Sequence, residues 1–139
     1  MFDIKEIMMA LQTFQNSEMQ RCIDACKRCH DVCLRMAMTH CLQKGDQHVE
    51  EEHFRLMLNC AEICQTAANF MLSNSSVHDV VCAACAKICD ACAHSCEQIG
   101  DMDECVQTCR QCAESCEEMA RSQNIGGQRQ QSSGAAARM

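Results

Sequence analysis

The chain carries 16 cysteines in 139 residues, and most of them fall in a regular pattern. Cys22, Cys26, Cys29 and Cys33 are separated by steps of four and three; so are Cys82, Cys85, Cys89, Cys92 and Cys96, and Cys105, Cys109, Cys112 and Cys116. Cys60 and Cys64 stand in the same relation, and Cys41 stands apart. Thiolates are soft donors that select Cu(I), Zn(II) or iron–sulfur clusters. Steps of three and four hold successive side chains on one helix face, the spacing of a bundle seam. The chemistry predicted is soft-metal binding along the inner faces of helices.

Carried outward, the same alternation reaches further soft-metal ligands. It passes through Met36 and His40 after the first cysteine run, through His53, Met57, Ala67 and Met71 around Cys60 and Cys64, through His78 before the third run, and through Met102 and Met119 around the fourth. Ala67 and Ile99 are the exceptions. A protonated cysteine also packs as a small hydrophobe and methionine fills gaps. That plain reading suits any one position, and it suits Met71 and Met119. It fails for the set, because Leu, Ile and Val occur elsewhere yet are nearly absent from four seams.

Geometry separates the metals. Zinc gathers four ligands about one ion, commonly from knuckles in loops, and iron–sulfur ligation uses its own proline-terminated runs. The pairs Cys26/Cys29, Cys82/Cys85, Cys89/Cys92 and Cys109/Cys112 lie inside helical patterns, and the chain has no proline. Cu(I) needs only two or three sulfurs. Because uncompensated buried charge is costly, a filled core is neutral at about one Cu(I) per thiolate, or ~16 ions. The run from Cys82 to Cys96 spans about 21 Å as helix, so the sites form a column, which suits storage better than catalysis.

The elements that must position these residues are helices. The length fits one domain, the absence of proline leaves little to interrupt a helix, and Gly45 and Gly100 fall where the pattern breaks. Helices are predicted over Ser17 to Gln43, Gln47 to Leu72, Val77 to Ile99 and Met102 to Ser122, with Asn16, Ser76 and Asp101 as N-caps. Ile4, Ile7, Met8, Leu11 and Phe14 predict a short amphipathic helix, read as a strut packed outside the bundle, or alternatively as a subunit contact. The fold class is all-α: an antiparallel up-and-down four-helix bundle with a short extra N-terminal helix. Residues 1–121 form the bundle domain and 122–139 a disordered tail.

In such a bundle one mouth gathers Met36, His40, Cys41, His53, Met57 and Met102. Copper is expected to be admitted there, with exposed neutral ligands passing ions to thiols that lose protons on binding. The opposite mouth, with Met71, His78 and Met119, is the competing choice. Cys41, one residue past the His40 seam position, reads as a mouth ligand.

The net charge of −7 and the absence of a basic run argue against nucleic acid. No apolar run approaches the ~18 residues of a membrane span. Met1-Phe2-Asp3-Ile4-Lys5-Glu6 lacks the features of a signal peptide, which predicts the cytosol, where thiols stay reduced.

The repeated C-x3-C-x2-C-x3-C pattern, as in Cys22 to Cys33, resembles the bacterial four-helix-bundle copper storage proteins, over about Met1 to Ser122. The resemblance implies a cysteine-lined bundle filled with many Cu(I) ions and, from the cytosolic branch, a homotetramer, with a copper chaperone as a candidate partner. Proteins of this kind are sometimes labelled ferredoxin-like, although nothing here builds the usual iron–sulfur site. The second helix departs from the pattern with only Cys60 and Cys64. Two rivals remain: a zinc or general thiol buffer, and a dithiol oxidoreductase using Cys82/Cys85, which needs an exposed attacking cysteine of low pKa.

Overall fold

Within residues 2–122 glycine occurs only at 45 and 100, so long helices reverse at few places. The computed structural model describes the backbone of residues 2–138 and side chains as far as Ser122. Four long helices result: α1 (Ile4–Met36), α2 (Glu51–Leu72), α3 (His78–Ile99) and α4 (Asp103–Arg138). Each packs against the next in sequence and α4 closes onto α1, the up-and-down bundle expected. Gly45 (φ 70°, ψ −156°) and Gly100 (φ 82°, ψ 165°) make two of the reversals, in a region open essentially to glycine alone. Asn74 (φ 55°) assists the third.

Three expectations about the helices are corrected. The amphipathic stretch from Ile4 to Phe14 is not a separate helix, because α1 runs through Asn16 without a break. Nothing there stops it: Asn16 Oδ1 accepts from Gln12 Nε2 one turn back at 3.4 Å, and the cap is Asp3, whose carboxylate accepts from Glu6 N–H at 2.8 Å. Nor is the stretch a strut. Ile4, Ile7, Met8, Leu11 and Phe14 are all exposed, so this part of α1 overhangs the bundle.

The caps differ as well. Glu50 caps α2 by accepting from the Glu52 and His53 N–H groups. Ahead of α3 it is Ser75, not Ser76, whose hydroxyl accepts from Val77 N–H. Asp101 turns with φ 59° and gives its carboxylate to Lys44 Nζ at 2.9 Å. Finally, α1 ends at Met36 in a turn of π-helix, Ala37–Cys41, followed by a short helical turn, Leu42–Lys44, and a 3-10 turn, Asp46–Val49. The expected tail over 122–139 lies, beyond Ser122, outside the described side chains, and α4 continues as helix to Arg138.

The core is made of sulfur and alanine. Every cysteine is buried and unpaired, flanked by Ala37, Ala61, Ala67, Ala68, Ala86, Ala93 and Ala113. The only branched side chains buried among the described residues are Ile23, Val32 and Thr108. Small flanking residues let the helix axes approach, which brings sulfurs from different helices into contact.

Candidate metal centre

Four groups of sulfurs, each with all members within 4.8 Å of one another, are stacked along the bundle axis. Beginning at the α2–α3 loop, they are Cys22/Cys82/Cys116, then Cys26/Cys85/Cys112/Cys116, then Cys29/Cys64/Cys89/Cys112, then Cys29/Cys33/Cys60/Cys109. Neighbouring groups share Cys116, Cys112 or Cys29, so the stack is continuous. Contacts are close: Cys26 to Cys116, Cys33 to Cys109 and Cys64 to Cys89 are each 3.5 Å between Sγ atoms. Beyond the fourth group Met57 Sδ lies 3.7 Å from Cys92 Sγ and 3.6 Å from Cys96 Sγ. Met57 is fully buried and belongs to the column, not to an exposed mouth as the spacing predicts.

Cys60 of α2 is the best-connected sulfur, and Cys64 is on a par with Cys29, Cys33, Cys89 and Cys109. Cys60 touches Cys29, Cys33, Cys89 and Cys109 within 3.8 Å. Cys64 touches Cys85, Cys89 and Cys112 within 3.7 Å. A helix poor in cysteine therefore supplies the main hub.

Crowded thiols divide into donors and acceptors. Hydrogen bonds from Cys112 and then Cys116 hold Cys26 down to about 6, and one led by Cys109 holds Cys92 at about 6. Contacts led by Cys109 and by Cys112, respectively, lower Cys29 and Cys85. Their neighbours move the other way: Cys60 and Cys116 are raised, the first by Cys109 and the second by Cys112. Burial and then the charge of Cys92 push Cys41 up to about 11. Contact with Cys116 lowers Cys82, but Cys22 and burial outweigh it and leave that thiol at about 12. Sulfur–sulfur hydrogen bonds thus shift neighbouring thiols in opposite directions, and a soft cation takes the place of their protons when it binds.

At the α1–α2 end the π turn decides what faces inward. Its wider turn rotates the helix so that Ala37 and Cys41, both 0% exposed, continue the line of Cys33. Met36 and His40, predicted on that line, are half-buried beside it. Cys41 Sγ lies 3.9 Å from His53 Nε2, and His53 Nδ1 is 2.8 Å from Ser95 Oγ. Burial, then the neighbouring His48, holds His53 below its ordinary pKa. Met102 is buried.

His48 is the residue that spacing misses. It sits in the 3-10 turn, on no helical seam, yet its ring is 5.3 Å from that of His40 and 6.5 Å from that of His53. The Nε2 atoms of His40 and His48 are buried without a hydrogen-bond partner. The available signal was three histidines on either side of the Gly45 reversal. His30, by contrast, is spent on structure, donating from Nδ1 to the Ala61 carbonyl at 2.7 Å.

A helical bundle walled by shared sulfur clusters, with imidazoles at one end, defines a class of soft-metal-holding proteins. The model of the copper storage protein family matches residues 15–121, and the chain belongs to that family. A crystal structure of a protein from Nitrosospira multiformis is 63% identical, with a TM-score of 0.75 over 76% of this chain and 97% of that one. The Cu(I)-bound copper storage protein BsCsp3 of Bacillus subtilis is 35% identical, with a TM-score of 0.69 over 74% of this chain and 98% of its own. A curated relative, an uncharacterized cysteine-rich protein of Bacillus subtilis, is 38% identical over 69 residues, 50% of this chain, and the match spans 63% of its length.

Proposed function

We propose that this chain is a cytosolic Cu(I) store, non-enzymatic, with residues 1–121 as the metal-holding unit. The observation that carries the reading is that all 16 cysteines are buried in one core, most of them in groups that share sulfurs. The ligands are those 16 cysteines, Cys41 among them at the α1–α2 end, with Met57 inside the column and Met36, His40, His53 and Met102 beside Cys41, joined by His48. Neutrality sets the content: one Cu(I) per thiolate gives ~16 ions. The likeness to a structure described as Cu(I)-bound supports the choice of metal.

Zinc fits the groups less well. Four thiolates around one divalent ion retain two negative charges, which a dry core resists. A dithiol oxidoreductase is disfavoured by Cys82 itself, fully buried with its thiol pushed up to about 12. No helix among the described residues is long and apolar enough to cross a membrane. Self-association belongs to the same reading, as a homotetramer, with the exposed apolar stretch of α1 as its contact; a copper chaperone is the expected donor.

The test is an anaerobic titration of reduced protein with Cu(I) against a strong chelator, repeated with zinc in competition. Saturation at ten or more coppers per chain, undisturbed by zinc, supports the store. A plateau at one or two, or retention of zinc against copper, refutes it.

A further inference from the structure

Attention to metal traffic falls naturally on the histidine-rich end, but the opposite end is also furnished. There a cavity of about 450 Å³ opens between α1, the α2–α3 loop and the end of the described part of α4, with Met19, Gln15, Ser75, His78 and Met119 in its lining. His78 is 4% exposed. Its Nδ1 is 2.8 Å from the Ser75 carbonyl oxygen, and since a carbonyl only accepts, Nδ1 carries the hydrogen. In the neutral ring Nε2 then bears the free lone pair, and that atom is buried with no partner. An imidazole held through one nitrogen by a backbone carbonyl, with the other nitrogen bare, is the arrangement that orients a histidine toward a metal.

Directly inward lies the first sulfur group, Cys22/Cys82/Cys116. His78 precedes Cys82 by one turn on the same helix face. The lining also offers two thioethers, those of Met19 and Met119. A lone buried histidine would be unremarked in a core. One with an orphaned nitrogen between a solvent-reaching cavity and a three-sulfur group is placed as a relay.

We propose that this cavity is a second copper port, so that the column exchanges Cu(I) at both ends. The proposal rests on the copper-storage reading above. Transfer involves no redox change: Cu(I) breaks its bonds to the thiolates of the first group and forms new ones to His78 Nε2 and the Met19 or Met119 sulfur, while each freed thiolate takes a proton from water. From the thioethers the ion passes to whatever soft ligand occupies the cavity.

The experiment loads full-length reduced protein to saturation with Cu(I), then follows release to excess bathocuproine disulfonate under anaerobic conditions. Three variants are compared with the native chain: His78→Leu/Met119→Leu, which removes donors; Gln15→Trp, which fills the cavity without touching a ligand; and His40→Ala/His48→Ala/His53→Ala at the other end. Two independent exits of similar conductance add, so blocking either one roughly halves the release rate and combining the blocks slows it far more. Release unchanged by both His78→Leu/Met119→Leu and Gln15→Trp overturns the port. The initial loading measures capacity separately: native protein that saturates at one or two coppers refutes storage, whereas high capacity with a silent cavity refutes only the port. Gln15→Trp keeps every donor, so a lost capacity there would mark misfolding, and His78→Leu/Met119→Leu then decides alone.

Discussion

Cys41 Sγ lies 3.9 Å from His53 Nε2 because one turn of π-helix, and not an α-helical seam, delivers the cysteine. The pair joins the sulfur column to the imidazoles, with His48 and His40 beyond it. On the proposed reading these side chains, His53 buried and His40 and His48 half-buried, bind few ions but stand in the path of many. Replacing His40, His48 and His53 by alanine therefore slows Cu(I) loading several-fold or more and lowers the total by no more than about three ions, one per lost imidazole. Stopped-flow uptake and the endpoint ratio check the two halves. A proportionate fall in capacity with unchanged rate would contradict a mouth role.

Connectivity gives the second prediction. Cys60 meets sulfurs from α1, α3 and α4 within 3.8 Å, whereas Cys22 meets Cys116 at 3.8 Å at the end of the stack. Cys60→Ser thus removes a shared ligand and Cys22→Ser a terminal one. Anaerobic titration should show a larger loss of bound Cu(I), and weaker retention against chelator, for Cys60→Ser. Equal losses would mean that the sites fill independently.

Much of this was legible because the seam chemistry is periodic. Steps of three and four fixed the inward faces of α1, α3 and α4, and every cysteine found that way is buried. What was not legible breaks periodicity. The π turn at Ala37–Cys41 contains neither glycine nor proline, so no residue type announces the change of phase that exchanges His40 for Cys41 on the inner line. His48 lies in a 3-10 turn where a helical repeat has no meaning. The break expected at Asn16 rested on a capping side chain, and a capping residue within an otherwise helical run does not end it. Burial of Met57 followed from depth along the axis, which spacing on one helix does not measure.

Met57 offers a conservative test of the column near its α1–α2 end. Its sulfur touches Cys92 and Cys96, and Met57→Leu nearly conserves volume, at a cost of less than about 1.5 kcal/mol in stability. Folding is retained, while the thioether that touches Cys92 and Cys96 is lost. The expected result is slower copper uptake with a nearly unchanged melting temperature for the apo form. A rate equal to that of the native protein would assign Met57 to packing alone.

Alkaline pH should destabilise the apo bundle. Cys41 rises from 9.0 to about 11 on folding, first through burial, and Cys82 from 9.0 to about 12, where Cys22 and burial outweigh the lowering contact with Cys116. For groups raised in this way the folded state holds protons that the unfolded chain has released, so their contribution is complete below pH ~9 and declines as pH rises toward 11 and 12. Circular-dichroism melts of reduced apo-protein should fall across that window. Copper-loaded protein, whose thiolates are already deprotonated and neutralised, should change much less; parallel declines would show that other groups dominate.

The overhang of α1 supplies the last prediction. Ile4 precedes Cys22 by about five full turns, so its side chain shares the azimuth of the cysteine seam and points over the prolongation of the bundle axis. Ile7, Met8, Leu11 and Phe14 flank the same line and are 48%, 63%, 56% and 61% exposed. In that span α2 and α3 have ended, at Leu72 and His78, leaving an apolar stripe whose burial against a second copy is favourable at roughly 25 cal/mol per Å². Residues 2–14 include none of the buried core among the described residues, so a chain lacking them should keep its copper capacity while the proposed assembly falls to a smaller species. Sedimentation velocity on both chains, apo and loaded, measures this directly. An unchanged sedimenting mass after truncation would show that this stretch makes no subunit contact.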